Sequence, residues 1–200
     1  MPKVGAEPIR KAALINATIY EVGHAGSLEV TVAQIARRAG MSPALAHHYF
    51  GTKEQIFLAA MRYILTIYGK TVLDALPGHG PQGRVRAIIE ASFAPENFQR
   101  ETVSAWLNFY ALALRNPEAA RLLRVYHGRL RSNLLVALRP LTDHPGPIAD
   151  TLESLIDGVY LRAVLKGGTT DGQVASNIVT QYLVEALGRP QPVRAATTAP

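Results

Sequence analysis

Trp106, Phe109 and Tyr110 stand three and four residues apart, the spacing that places side chains on one face of a helix. Asp157 and Tyr160 are likewise three apart, and Phe93 and Tyr126 add two more rings to the same half of the chain. An acid beside aromatic faces is the chemistry that holds a quaternary ammonium. Such a cation offers no N–H to bond, so cation–π contact and a diffuse counter-charge remain. The same pattern also describes plain core, with Asp157 paired to an arginine such as Arg162. A second set lies near the N-terminus, where Pro43, Ala44, His47 and His48 fall on one side of a short helical stretch. Small residues at the first two positions let a backbone come close to a DNA major groove. His47 and His48 are adjacent, so on a helix they point about 100° apart and do not make a metal pair.

Chemistry of other kinds is not indicated. The 200 residues contain no cysteine, which excludes a disulfide framework, thiol catalysis and thiolate metal sites. There is no phosphate-cradling glycine loop, no His/carboxylate spacing for a metal and no nucleophile elbow. The expectation is a protein that is not an enzyme and needs no cofactor. Hydrophobic residues make up 48% and charged residues 18%, which sets the chain apart from disordered sequences. No uninterrupted apolar run approaches the roughly 18 residues of a membrane span. Asn16 and Glu21 break the apolar pattern before a signal-peptide core develops, so a soluble, cytoplasmic chain without a membrane partner is expected. The net charge is +6, and residues 1–53 hold six basic and three acidic side chains, a denser net positive charge than the rest of the chain taken together. That favours contact of the N-terminal part with a polyanion.

The positioning elements read as helices throughout, an all-α fold, because apolar spacings of three and four recur and sustained alternation does not. A first helix is expected from Pro8 to Val22, ended by Gly23, with Ile9, Ala13, Ala17 and Tyr20 as its inward stripe, extended by Ile15, Ile19 and Val22. Thr31 caps a short helix, Val32 to Ala39, with Gln34 at the capping-box position. Gly40 and Met41 turn the chain, and Ser42 caps a second short helix with Pro43 at its first position. Thr52 opens a longer helix from Lys53 to about Leu76. After the breaker Pro77 to Gly83, helices are expected at about Gly83–Phe93, Arg100–Arg115, Pro117–Leu138, Pro147–Lys166 and Asp171–Leu187. This gives an N-terminal three-helix unit over residues 1–53, a helical bundle over 54–187, and a disordered tail over 188–200.

Two short helices joined by Ala39-Gly40-Met41-Ser42 make a helix-turn-helix. The string from Thr31 to Phe57, TVAQIARRAGMSPALAHHYFGTKEQIF, resembles the signature of TetR-type transcriptional repressors. The resemblance extends to the branch of that family that governs choline-to-glycine-betaine genes and answers to choline. It is carried there by MPKVG with IRKAALINAT, TVAQIARRAGMS, His48-Tyr49-Phe50, Ala105-Trp106-Leu107, Arg131-Ser132-Asn133-Leu134 and Leu155-Ile156-Asp157-Gly158. It implies a homodimer that binds a double-stranded DNA operator and a small-molecule effector, choline or a related quaternary amine.

The resemblance also implies roles. Lys53 contacts a phosphate at a helix N-terminus, Thr31 donates to another, and Arg37 or Arg38 lies near the DNA backbone. His48 and Tyr49 line the groove wall, while Ser42, Pro43, Ala44 and His47 approach base edges. His47 departs from the wider family, where tyrosine is common. Phe93, Trp106, Phe109, Tyr110, Tyr126, Asp157 and Tyr160 are the candidate ligand residues, and the last two helices are the candidate dimer interface. Two other readings stay open: a different amine or apolar effector, and a helical carrier or enzyme that binds no DNA.

Overall fold

The computed structural model describes residues 6–167 and 170–188. Among the described residues it is all helical: α1 Ala6–Ala25, α2 Val32–Arg38, α3 Pro43–Phe50, α4 Lys53–Ala75, α5 Pro81–Ser92, α6 Arg100–Ala113, α7 Pro117–Leu138, α8 Pro145–Lys166 and α9 Gly172–Gly188. The expected opening residues Met1 to Gly5, Gly168 of the expected glycine breaker, and residues 189–200 of the expected tail lie outside the described residues. Gly188 itself closes α9.

Local chemistry places most boundaries. Thr31 Oγ1 accepts from the Gln34 N–H at 3.2 Å, and Gln34 Oε1 accepts from the Thr31 N–H at 2.7 Å, a complete capping box. Thr52 and Gln55 repeat the device at the head of α4. The Asn116 side chain accepts from Glu118 and Ala119 at 3.0 Å with Pro117 behind it. α5 and α8 each start two residues earlier than expected, at Pro81 and Pro145. A proline in the first turn loses no intrahelical bond, so Pro81 and Pro145 each serve as a first helical residue.

α1 is the larger correction. It runs on to Ala25, through Gly23. A side chain on Gly23 would meet the Glu101 carbonyl oxygen at 2.1 Å, so this glycine serves close packing of α1 on α6 and does not stop the helix. The inward arc keeps Ala17 and Val22 of the expected stripe but is rotated away from Ile9 and Tyr20. Leu14, Ala17, Thr18 and Val22 are buried, while Ile9 is 72% and Tyr20 37% exposed. Thr18 is accommodated because its hydroxyl donates to the Leu14 carbonyl at 2.7 Å.

α4 is the spine. By length and composition it could cross a membrane, yet Ile56, Phe57, Leu58, Ala60 and Met61 are buried within this fold. It contacts α1, α3, α5, α6 and α7, and α1 makes its most extensive contact with α6. The three-helix head is therefore seated on the bundle through α1 and α4. Fully burying an aliphatic chain such as Ile56 or Leu134 stabilises by roughly 1.5–3 kcal/mol. α8 and α9 use one face for this core, through Ile148, Leu152, Ile156, Val179 and Leu183. Their outer faces carry exposed Leu161, Leu165, Val174 and Ile178.

Candidate nucleic-acid interface and ligand chamber

The turn between α2 and α3 is built as the spacing requires. The Gly40 N–H donates to the Arg37 carbonyl at 3.1 Å and the Met41 N–H to Ala36 at 2.9 Å, with Gly40 at φ 68°. These paired bonds close a helix with one left-handed residue, which glycine adopts without steric cost. Met41 then packs against the core. Ser42 caps α3 by accepting from the Leu45 N–H at 3.3 Å. Ala46 is buried, whereas Pro43, Ala44, His47 and His48 are exposed together on one face. That face is small at its N-terminal end and carries imidazoles at its C-terminal end. His47 Nδ1 lies 2.7 Å from the Gly51 carbonyl, which can only accept, so the ring proton of the neutral form sits on Nδ1. Nε2 is left as an acceptor, suited to an adenine or cytosine amino group.

The other head residues divide by their partners. Lys53 is half-buried at the first turn of α4, its Nζ 5.4 Å from the Phe57 ring, where the helix N-terminus favours an anion. Arg37 is exposed. Arg38 is engaged: it pairs with Glu21 and stacks 3.6 Å over Tyr20. The Thr31 hydroxyl donates to Gln34 Oε1 at 2.8 Å, a bond it would exchange to reach a phosphate. Tyr49 is half-buried, and its hydroxyl accepts from Arg10 at 3.4 Å with Lys11 Nζ 6.0 Å from its ring. Arg10 and Lys11 thus join Tyr49 on its side of the head. Sequence reasoning missed them because it treated α1 as platform alone.

In the bundle the rings form two groups. Trp106, Tyr110 and Tyr126 meet edge to face, with centroids 5.2–5.3 Å apart, and Tyr68 joins Tyr126 at 5.2 Å. The Tyr110 hydroxyl donates to Asp157 at 3.0 Å, so Asp157 is held by a phenol and not by Arg162. His127 Nδ1 lies 2.7 Å from Glu153, and its ring packs on Tyr126 at 5.0 Å. Burial pushes the Asp157 carboxyl above the ordinary carboxylate range, opposed by the Tyr110 hydrogen bond and nearby His127. Burial also raises the Tyr68 phenol to about 12 and keeps Tyr110 and Tyr126 protonated.

A cavity of about 20 Å³ lies among Tyr68, Trp106, Tyr126 and Tyr160, room for about one water. Phe93 belongs to the second group, packed with Phe98 and Tyr160 at 5.1–5.6 Å. Tyr160 borders both, its hydroxyl tied to the Ser92 carbonyl. Phe109 is wholly buried and outside the cage, in the core. Tyr68, His127 and Glu153 were missed, although Glu153 and Asp157 stand at i and i+4, a spacing that signals a shared face.

Residues 81–188 match the family model described as BetI-type transcriptional repressor, C-terminal, and residues 14–60 match that of bacterial regulatory proteins, tetR family. The chain belongs to the TetR family, with a BetI-type C-terminal domain. It is 44% identical over 194 residues to HTH-type transcriptional regulator BetI of Brucella suis biovar 1 (strain 1330), covering 95% of this chain and 98% of that one. The BetI of Rhizobium meliloti (strain 1021) is 45% identical over 186 residues, 92% of each chain. Among solved structures, a putative transcriptional regulator from Pseudomonas aeruginosa PAO1 superposes with TM-score 0.71 at 25% identity, covering 92% and 93% of the two chains. A putative transcriptional regulator from Saccharomonospora viridis, solved in complex with choline, superposes at 0.77 with 18% identity, covering 87% and 95%. This repressor is therefore a TetR-type DNA-binding transcriptional regulator and not an enzyme.

Proposed function

We propose that this repressor governs choline-to-glycine-betaine genes and that choline, or a closely related quaternary amine, is its effector. The observation that carries the effector is the Asp157 carboxylate held by Tyr110 beside Trp106 and Tyr126. The likeness to BetI proteins over most of the chain and the choline bound by the Saccharomonospora neighbour support it. In this reading residues 1–53 read the operator, residues 54–187 bind the effector and a second copy, and the dimer works in the cytoplasm on a palindromic site. Thr31, Arg37 and Lys53 bind phosphates, and Ser42, Pro43, Ala44 and His47 meet base edges, with His48 and Tyr49 beside them. Phosphate contacts set register and most of the affinity, and base edges set sequence choice.

The cage has room for about one water, so a quaternary ammonium fits only after the walls part. Effector binding and a change of shape are then one event. The effector shifts DNA affinity as far as it prefers the opened state. The test is binding of the purified protein to duplex from the promoter beside its own gene, with and without choline at fixed salt. Specific binding altered by choline is expected. Trp106→Ala and Asp157→Asn should each abolish the choline response and keep operator binding. An unchanged response in both variants overturns the cage.

A further inference from the structure

A groove of about 570 Å³ opens between α1, α4 and α6, walled by Asn16, Tyr20, Tyr63, Glu96 and Glu101 among others. Three of its wall residues, Ile64, Asn97 and Thr102, also line the buried cavity, so a single layer of side chains separates the two spaces. We propose that this groove is an outer site for small organic cations and the port through which they reach the aromatic cage. The proposal deepens the reading of the cage as a cation site and rests on it.

The groove has the chemistry for that task. Its lining includes two carboxylates and the Tyr63 ring, and no lysine, arginine or histidine, while the Tyr20 ring at its edge is already covered by Arg38 at 3.6 Å and stacked with His24. Glu96 and Glu101 make no ion pair among the described residues. A concave surface of one sign concentrates the opposite charge and speeds its arrival. Geometry singles out the route. Two other large grooves, of about 500 and 380 Å³, share no wall residue with the cavity. Between groove and cavity, Asn97 is buried and fixed by its Nδ2 donating to the Ala91 carbonyl at 2.8 Å. Ile64 and Thr102 are half-buried, and a rotamer change in such a chain is cheap beside unfolding a helix.

The chain has a single tryptophan, Trp106, inside the cage, and no cysteine, which makes both spaces addressable. Asn16→Cys puts one thiol on the exposed rim, where methanethiosulfonates carrying a trimethylammonium or a sulfonate attach and dithiothreitol removes them. Trp106 fluorescence is quenched with N-methylpyridinium or with neutral acrylamide, and choline association is followed by stopped flow. The bulky cationic adduct should lower N-methylpyridinium quenching and slow choline association, with recovery on reduction. Glu96→Gln with Glu101→Gln should reduce cation association about tenfold at low salt and leave acrylamide quenching unchanged. Quenching by N-methylpyridinium that ignores both the adduct and the double variant overturns the port. Wild-type protein that does not bind choline, yet shows the groove-dependent quenching, overturns the choline reading and keeps the port.

Discussion

At the scale of single residues, the proposed effector role of Asp157 couples binding to protonation. Burial makes its carboxyl harder to ionise in the folded chain than in the unfolded one. The unfolded chain therefore gives up this proton first as pH rises. Stability falls across the window from the ordinary aspartate range up to the raised folded value, and the loss is complete above it. A quaternary ammonium in the cage favours the carboxylate and reverses that trend. Choline affinity should fall as pH is lowered through the folded value, and binding at mildly acidic pH should release a proton. Calorimetry in buffers of different ionisation enthalpy reads that proton directly. Asp157→Asn should flatten the profile and leave thermal stability at neutral pH undiminished. Choline binding by the wild-type protein at mildly acidic pH that releases no proton would overturn the placing of Asp157 beside the cation.

At the scale of elements, the seat of α1 on α6 depends on Gly23. Gly23→Ala drives a methyl into the Glu101 backbone, which cannot rotate away as a side chain can. Overpacking of this kind costs about 1–3 kcal/mol, to be seen as a lower thermal midpoint and a weaker operator complex. Gly26→Ala, on a left-handed glycine with nothing within 4 Å, tests conformational strain without a clash and should spare the α1–α6 contact. The contrast explains what sequence could and could not deliver. Helix ends were readable at Thr31, Ser42 and Thr52 because a cap is decided within four residues. The rotation of α1 was not, since three neighbours, α2, α4 and α6, fix which arc is buried. Phe109 failed for a related reason. At i, i+3 and i+4 the side chains spread over about 100°, so Trp106 and Tyr110 reach the cage while Phe109 turns into the core. Tyr68 and His127 come from α4 and α7, and only folding brings them to Trp106 and Asp157.

At the scale of the whole molecule, the exposed Leu161 and Leu165 of α8 and Val174 and Ile178 of α9 form an apolar surface of the kind that a second copy covers. Two heads held by one such interface would face two half-sites about 34 Å or somewhat more apart. The cage helix α6 supports α1, and α1 belongs to the head, so on the proposed reading parting the cage walls would tilt each head, and a dimer would double the misfit. Leu165→Glu with Ile178→Glu should therefore give a monomer by sedimentation, with helicity retained. Operator affinity should fall by about 10²-fold or more, because the second half-site contact is no longer intramolecular. Choline binding should survive in that monomer, since Trp106, Tyr110, Tyr126 and Asp157 all belong to one chain and none lies on the outer faces of α8 and α9. Retained choline affinity beside lost operator affinity would separate the effector site from the reading unit. Loss of both would mean that the cage is held in shape by the partner.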